Sequence, residues 1–291
     1  MSAIILDGKI LAAELKENLR KEIALLKLHY GQIPVAVSIV TGDDPGALSY
    51  ASSQKKTAID VGIDYQLKCL SSEVTTDEFK TLIHQLNHDS KVHAVLINKP
   101  LPAHLDFSEL TNWIDAHKDA EGLNVANLGR LFFGKTKLIP CTAASIMEHL
   151  SYAKVNLKGK EAVIVGRSEI VGKPMIMLLL ASHATVTICH SATDAAGKLP
   201  EHLQKADVII AAVGKAGFLK GEWIKPGAVV IDVGINRVDG KITGDVDFPS
   251  VSKVAGAITP VPGGIGPVTA IMLMKNVVEA FKEQQKSKVI D

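Results

Sequence analysis

Val163-Ile164-Val165-Gly166-Arg167-Ser168-Glu169-Ile170-Val171-Gly172 reads as a strand, a tight turn and the start of a helix. A glycine at a strand end lets the backbone turn sharply and approach a pyrophosphate closely, and the helix N-terminus that follows offers unpaired N–H groups at the positive end of its dipole. The spacing is not G-x-G-x-x-G, because Ser168 stands where the middle glycine would be. Taken alone, the turn equally fits an ordinary strand-to-helix connection. The next strand ends Ile188-Cys189-His190-Ser191. It lacks the Asp or Glu that an NAD site places about 20 residues on to accept from the ribose 2′-OH. Arg167 and Ser191 offer a guanidinium and a hydroxyl instead, which suit a 2′-phosphate. The stretch therefore predicts a dinucleotide-binding domain that takes NADP.

Outward from this turn, strand-like and helix-like stretches alternate. Strands are expected at residues 162–165, 185–189, 208–213 and 229–233, with a helix over 172–181. Their Val, Ile and Ala content shows little polar alternation, as in strands buried on both faces. Towards the N-terminus, a strand at 36–40, a helix at 49–61 and a strand at 92–97 repeat the pattern, and a helix over 267–282 closes the chain. The alternation argues for an α/β fold with a mostly parallel sheet. A chain of 291 residues suits two domains. The boundary is expected near Pro140–Thr142, with Thr142 as N-cap of a joining helix.

Composition narrows the function classes. Basic and acidic residues number 32 and 31, so charge gives no reason to expect nucleic acid or a membrane surface as partner. No apolar run approaches the roughly 20 residues that span a bilayer. Asp7 and Lys9 interrupt the N-terminal stretch, which reads as neither a signal nor a transit peptide. Cys69, Cys141 and Cys189 are scattered and suggest neither a disulfide framework nor a zinc site, so a cytoplasmic chain with reduced thiols is expected. His84 and His88 share a helix face but have no third ligand nearby, and they read as solvated; no metal is expected. Trp113 and Trp223 read as packing anchors.

Several motifs stand in order along the chain: Val165-Gly166-Arg167-Ser168, Val171-Gly172-Lys173-Pro174, Cys189-His190-Ser191, Gly234-Ile235-Asn236-Arg237, Gly244-Asp245-Val246, and Thr259-Pro260-Val261-Pro262-Gly263-Gly264-Ile265-Gly266-Pro267-Val268-Thr269. Together they closely resemble the bifunctional methylenetetrahydrofolate dehydrogenase/cyclohydrolase family over essentially the whole chain. The resemblance implies two α/β domains with a cleft between them, in a homodimer. Residues 1–141 with 268–291 would hold folate, and 142–267 would form a Rossmann-type NADP domain. It implies hydride transfer from 5,10-methylenetetrahydrofolate to NADP, then hydrolysis of the methenyl cation to 10-formyltetrahydrofolate. By matching motif positions it implies that Gly166, Arg167, Ser168, Ser191, Ile235 and Thr142 serve the cofactor, and that Tyr50, Pro262 and Gly263 serve the folate.

The folate wall departs from the family pattern. Where the family has Tyr-x-x-x-Lys, this chain has Tyr50 and Gln54, with Lys55 and Lys56 following. One step along a helix rotates a side chain by about 100°, so Lys55 cannot take the place of residue 54. Val-Gln-Leu-Pro becomes Ile97-Asn98-Lys99-Pro100, Asp-Val-Asp-Gly becomes Asp119-Ala120-Glu121-Gly122, and Pro-Cys-Thr-Pro becomes Pro140-Cys141-Thr142-Ala143. Tyr50, Gln54, Asn98 and Glu121 are thus the candidate catalytic set. In a regular strand Lys99 faces away from Asn98, although at the strand end it could reach the folate as a replacement base.

The resemblance assigns the proton handling of the hydrolytic step to the family's lysine. Glutamine carries no proton at neutral pH. Hydride transfer needs orientation rather than a protein base. A site with Glu121 and no lysine is expected to be more negative and to favour the methenyl cation. These substitutions predict a dehydrogenase with weak or absent cyclohydrolase activity. Two other readings stay open: a paralogue acting on another folate-like substrate, and a non-catalytic protein that binds folate and NADP.

Overall fold

A computed structural model describes the backbone of residues 2–290 and the side chains of residues 2–286. In chain order the elements are β1 (Ile4–Ile5), α1 (Gly8–Tyr30), β2 (Val35–Thr41), α2 (Pro45–Val61), β3 (Asp64–Leu70), α3 (Thr76–His88), β4 (Ala94–Ile97), α4 (Phe107–Trp113), α5 (Val125–Phe132) and α6 (Cys141–Tyr152). They continue with β5 (Glu161–Val165), α7 (Gly172–Ala181), β6 (Thr185–Cys189), α8 (Ser191–Ala195), α9 (Leu199–Leu203), β7 (Val208–Ala211), β8 (Val229–Asp232), β9 (Asn236–Val238), β10 (Lys241–Thr243), α10 (Phe248–Val251), β11 (Ala257–Ile258) and α11 (Ile265–Ile290). The chain divides into two compact units, one of residues 1–13 and 142–269, the other of residues 14–141 and 270–291.

The first unit is built on a six-stranded sheet of order β1-β11-β8-β7-β5-β6, in which every pairing is parallel. Val163, Val165, Ile209 and Ala211 enter a core on one face, and Ala162, Ile164, Val208 and Ile210 enter a core on the other. Burial on both faces explains why these strands are apolar without alternation. From β5 the chain steps to β6 on one side and then to β7 on the other. The order reverses at the carboxyl ends of β5 and β7, where ligands of open α/β sheets bind.

Residues 1–13 belong to this unit because β1 extends its edge, pairing Ile4 with Ala257 and Ile5 with Ile258. The sequence reading grouped them with residues 14–141. A two-residue strand has too little periodicity to declare itself. Thr142 is also not an N-cap, since the helix already begins at Cys141.

The second unit carries a parallel sheet of order β3-β2-β4. Val37, Ile39, Val95 and Ile97 pack on one face with Phe79 and Ile83 of α3. Val40 on the other face packs with Ala47 and Ala51 of α2. Side chains alternate along a strand, so Ala36, Ser38 and Val40 share the α2 face. Tyr65 lies level with Ala36, and Leu96 level with Ser38. The Asn98 amide N–H donates to the Ile39 carbonyl at 2.9 Å, which carries the strand geometry one residue beyond β4. Ser38, Tyr65 and Asn98 therefore project on the α2 face, and Lys99 on the other.

Helix α2 starts at Pro45, earlier than its apolar pattern, because Asp44 Oδ1 accepts from the Ala47 N–H at 2.7 Å. It stops at Gly62, whose φ of 98° suits a residue without Cβ. Strand β3 escaped the sequence reading. It is an edge strand whose Asp64, Gln66, Lys68 and Cys69 are polar or exposed.

Candidate functional site

In the second unit, α2 sets Tyr50 and Gln54 one turn apart on a single face. Gln54 is buried (4 % exposed), Tyr50 remains half exposed, and Lys55 and Lys56 point to solvent, as the helix rotation requires. Below them, the Tyr65 hydroxyl donates to Gln54 Oε1 at 2.7 Å. Asn98 Nδ2 donates to Ser38 Oγ at 2.6 Å and to the Ile39 carbonyl at 3.1 Å. Burial pushes the Tyr65 phenol up to about 12, opposed by a hydrogen bond from Ser38. Desolvation also raises Tyr50, whose hydroxyl is hydrogen-bonded by Gln54.

Glu121 sits in a loop tied down by Asp119. The buried Asp119 carboxylate accepts from the backbone N–H groups of Gly122 (3.0 Å) and Asn124 (2.8 Å) and from Asn127 Nδ2 (3.0 Å). Desolvation first, then the Asp119 charge, pushes Glu121 up to about 8, with Lys99 opposing. That shift works against the expected negatively charged wall, because an acid pushed up to about 8 favours its protonated form near pH 7. A half-buried acid beside a second carboxylate sheds its charge rather than bear the desolvation cost. Lys99 Nζ lies 3.8 Å from the centre of the Phe107 ring, on the face away from Asn98. Cys141 accepts from Asn276 Nδ2 at 3.5 Å, and burial holds its thiol well above the usual range, which suits a packed rather than a reactive sulfur.

In the first unit, Gly166 ends β5 at a φ of 126°, and a Cβ there would collide with the Ala212 carbonyl at the end of β7. A Cβ on Gly172 would strike the Gly166 carbonyl. These two glycines close the turn and seat α7 against the strand. Ser168 between them is exposed, so the middle glycine is dispensable, and its Oγ accepts from the Val171 N–H at 3.2 Å. Gly166, Arg167, His190, Ser191, Lys215 and Phe218 line a cavity of about 200 Å³ beside this turn, and Asp194 brings a carboxylate to it. Ile235 is 72 % exposed, and Thr142 lies in the first turn of α6. Pro262 and Gly263 occupy the loop between β11 and α11, where the Gly8 N–H donates to the Gly263 carbonyl at 2.9 Å.

Two buried aspartates brace these loops, and motif reading did not assign them a role. Asp245 accepts from the N–H groups of Val213, Gly214 and Lys215 and from Asn236 Nδ2. Asp232 accepts from the N–H groups of Gly234, Asp245 and Val246, and burial pushes it up to about 6. Ser38 and Tyr65 were missed as well; a lone polar residue in an apolar strand was the available signal at Ser38. His84 and His88 stack at 4.2 Å on an exposed helix face. Trp113 packs against the α3-side core of the second unit, and Trp223 against one of the two cores of the first.

A doubly wound parallel sheet with a glycine turn at its switch point defines a dinucleotide-binding protein. The profile of the tetrahydrofolate dehydrogenase/cyclohydrolase NAD(P)-binding domain matches residues 140–285, and that of the catalytic domain matches residues 6–121. The Bifunctional protein FolD of Acetivibrio thermocellus is 47% identical, covering 99% of this chain and 100% of that protein. The crystal structure of the FolD methylenetetrahydrofolate dehydrogenase/cyclohydrolase from Campylobacter jejuni superposes with a TM-score of 0.92 at 40% identity, covering 97% of this chain and 99% of that one. The Trypanosoma brucei enzyme, solved with NADP and an inhibitor, gives 0.90 at 35% identity over 97% and 98% of the two chains. The chain belongs to the tetrahydrofolate dehydrogenase/cyclohydrolase family.

Proposed function

We propose that this protein oxidises 5,10-methylenetetrahydrofolate to the 5,10-methenyl cation with NADP, in one-carbon metabolism, and hydrolyses that cation weakly or not at all. The observation that carries the second half is Gln54. It is buried on the α2 face with its carbonyl oxygen held by Tyr65, and the neighbouring lysines point to solvent. A glutamine can orient a substrate by hydrogen bonds but cannot take up a proton at neutral pH. Lys99 leans over Phe107 on the strand face away from Asn98, which argues against it as a replacement base although its charge is felt at Glu121. Tyr50, Gln54, Asn98 and Glu121 are proposed to line the folate site of the second unit; Pro262 and Gly263 keep the folate-binding role that the family pattern gives them as a proposal. Glu121, carrying a proton near pH 7, would hydrogen-bond neutral substrate and ionise opposite the cationic product. A homodimer, as in the family pattern, is the proposed assembly. No helix among the described residues is long and apolar enough to cross a membrane.

Two parallel assays test this: reduction of NADP with methylenetetrahydrofolate, and loss of methenyltetrahydrofolate against the buffer rate. Dehydrogenation well above a near-background hydrolysis is expected. Hydrolysis at a comparable rate would overturn the reading.

The residues of the nucleotide turn fit NADP, with a backbone cradle that a Cβ would fill at Gly166 and Gly172 and with Arg167 and Ser191 at its cavity. When bound, NADP supplies the hydride acceptor. Arg167 is proposed to pair with its 2′-phosphate, offsetting the Asp194 carboxylate. Arg167→Met should raise KM for NADP by about tenfold to a hundredfold, the worth of one to two charge-assisted hydrogen bonds. KM for NAD should stay nearly unchanged. Equal effects on the two cofactors would remove Arg167 from that role.

A further inference from the structure

A side-chain amide has one accepting and one donating end, so Gln54 can face the site in two ways that differ chemically. The hydrogen bonds around it select one. They begin at the Ile39 carbonyl, which can only accept. It takes a bond from Asn98 Nδ2 at 3.1 Å, and this fixes the amide at residue 98 with its nitrogen inward. The same nitrogen donates to Ser38 Oγ at 2.6 Å. Ser38 Oγ thus accepts on one side, and its own O–H can donate to Tyr65, which projects on the same face from the neighbouring strand β3. Tyr65 accepts there and donates its own O–H to Gln54 Oε1 at 2.7 Å. With Oε1 turned to the Tyr65 hydroxyl, the Nε2 end of the amide is turned the other way, where it can donate to Tyr50, the half-exposed hydroxyl at the open end of the row.

We propose that Tyr65, supported by Ser38, is a positioning residue that locks the Gln54 amide with its nitrogen outward, so that residue 54 meets the substrate as a donor and Asn98 meets it as an acceptor. That this end of the unit receives folate rests on the function proposed above. The chain Asn98→Ser38→Tyr65→Gln54→Tyr50 runs in one direction because its first acceptor cannot reverse. Ser38, Gln54, Tyr65 and Asn98 are all buried, so no member of the inner row has solvent as an easy alternative partner. A donor at residue 54 keeps half of what a lysine would supply there, hydrogen bonding to an acceptor on the substrate. It lacks the other half, a titratable proton.

The first test needs no folate. In protein labelled with ¹⁵N-glutamine, the Gln54 side-chain N–H₂ should show a close contact to the Tyr50 ring and slowed exchange with solvent. Tyr65→Phe removes one oxygen and should abolish both features. Ser38→Ala breaks the row one link earlier and should weaken them, which keeps a readout available if Tyr65→Phe folds poorly. Unchanged Gln54 signals in both variants would overturn the proposal.

The second test is kinetic. Tyr65→Phe should raise KM for methylenetetrahydrofolate about tenfold, with kcat and KM for NADP little changed. Gln54→Met should lose a similar amount, and Tyr65→Phe should cost nothing further in the Gln54→Met background. Additive losses would mean that Tyr65 acts independently of Gln54 and would sink the proposal. If wild-type protein fails to reduce NADP with methylenetetrahydrofolate, the functional reading falls, while the resonance measurement still decides the direction of the amide.

Discussion

Gln54→Lys is expected to raise methenyltetrahydrofolate hydrolysis by about a hundredfold or more, the range of a well-placed acid–base group. Residue 54 already lies on the α2 face with Tyr50, and it is buried. Desolvation there lowers an ammonium's pKa towards the working range, which suits a group that must exchange a proton. The new cation would also bring Glu121 down from about 8, restoring a carboxylate opposite the product. One conflict accompanies the exchange. Lysine accepts no hydrogen bond, whereas Tyr65 donates to the residue at 54. The Gln54→Lys/Tyr65→Phe double variant removes that conflict and should hydrolyse faster than the single one. Hydrolysis is followed by the loss of methenyl absorbance, with dehydrogenation as control. If both variants still oxidise methylenetetrahydrofolate yet hydrolysis stays at the wild-type level, then Gln54 is not what limits it.

Asp245→Ala is expected to cost about 3–5 kcal/mol of stability, the worth of about two hydrogen bonds to a charged acceptor. Asp245 is fully buried and accepts four hydrogen bonds, at 2.6 and 3.0 Å from Val213 and Gly214 and at 2.9 Å from both Lys215 and Asn236. Alanine removes the acceptor that all four share; Asn236 Nδ2 keeps a long contact to the Thr243 carbonyl at 3.5 Å, whereas the three backbone N–H groups lose their carboxylate. The loop it braces carries Lys215 and Val213 into the wall of the nucleotide cavity, so NADP affinity should fall by tenfold or more. Asp245→Asn should lie between, since an amide turns one N–H₂ towards donors that need an acceptor. Denaturant unfolding and NADP titration measure the two effects. A loss below about 1 kcal/mol would show that water satisfies the donors instead.

The sequence carried the features that depend on short-range geometry. Strand, glycine turn and helix occur where the residues around Gly166 and Gly172 place them, because a Cβ at either glycine meets backbone. The period of a helix was enough to keep Lys55 from replacing Gln54, and the period of a strand put Lys99 opposite Asn98. Both follow from a few consecutive residues.

Tertiary structure alone decided which distant residues meet. Ser38, Tyr65 and Asn98 come from three different strands, and only the register of β3-β2-β4 sets them under Gln54. The pairing of β1 with β11 moved residues 1–13 into the nucleotide unit, and burial, with the Asp119 charge beside it, raised the pKa of Glu121. Register and burial are properties of the assembled sheet and core. A local motif specifies which groups are available, whereas their partners and charge states arise when non-local packing excludes water around them.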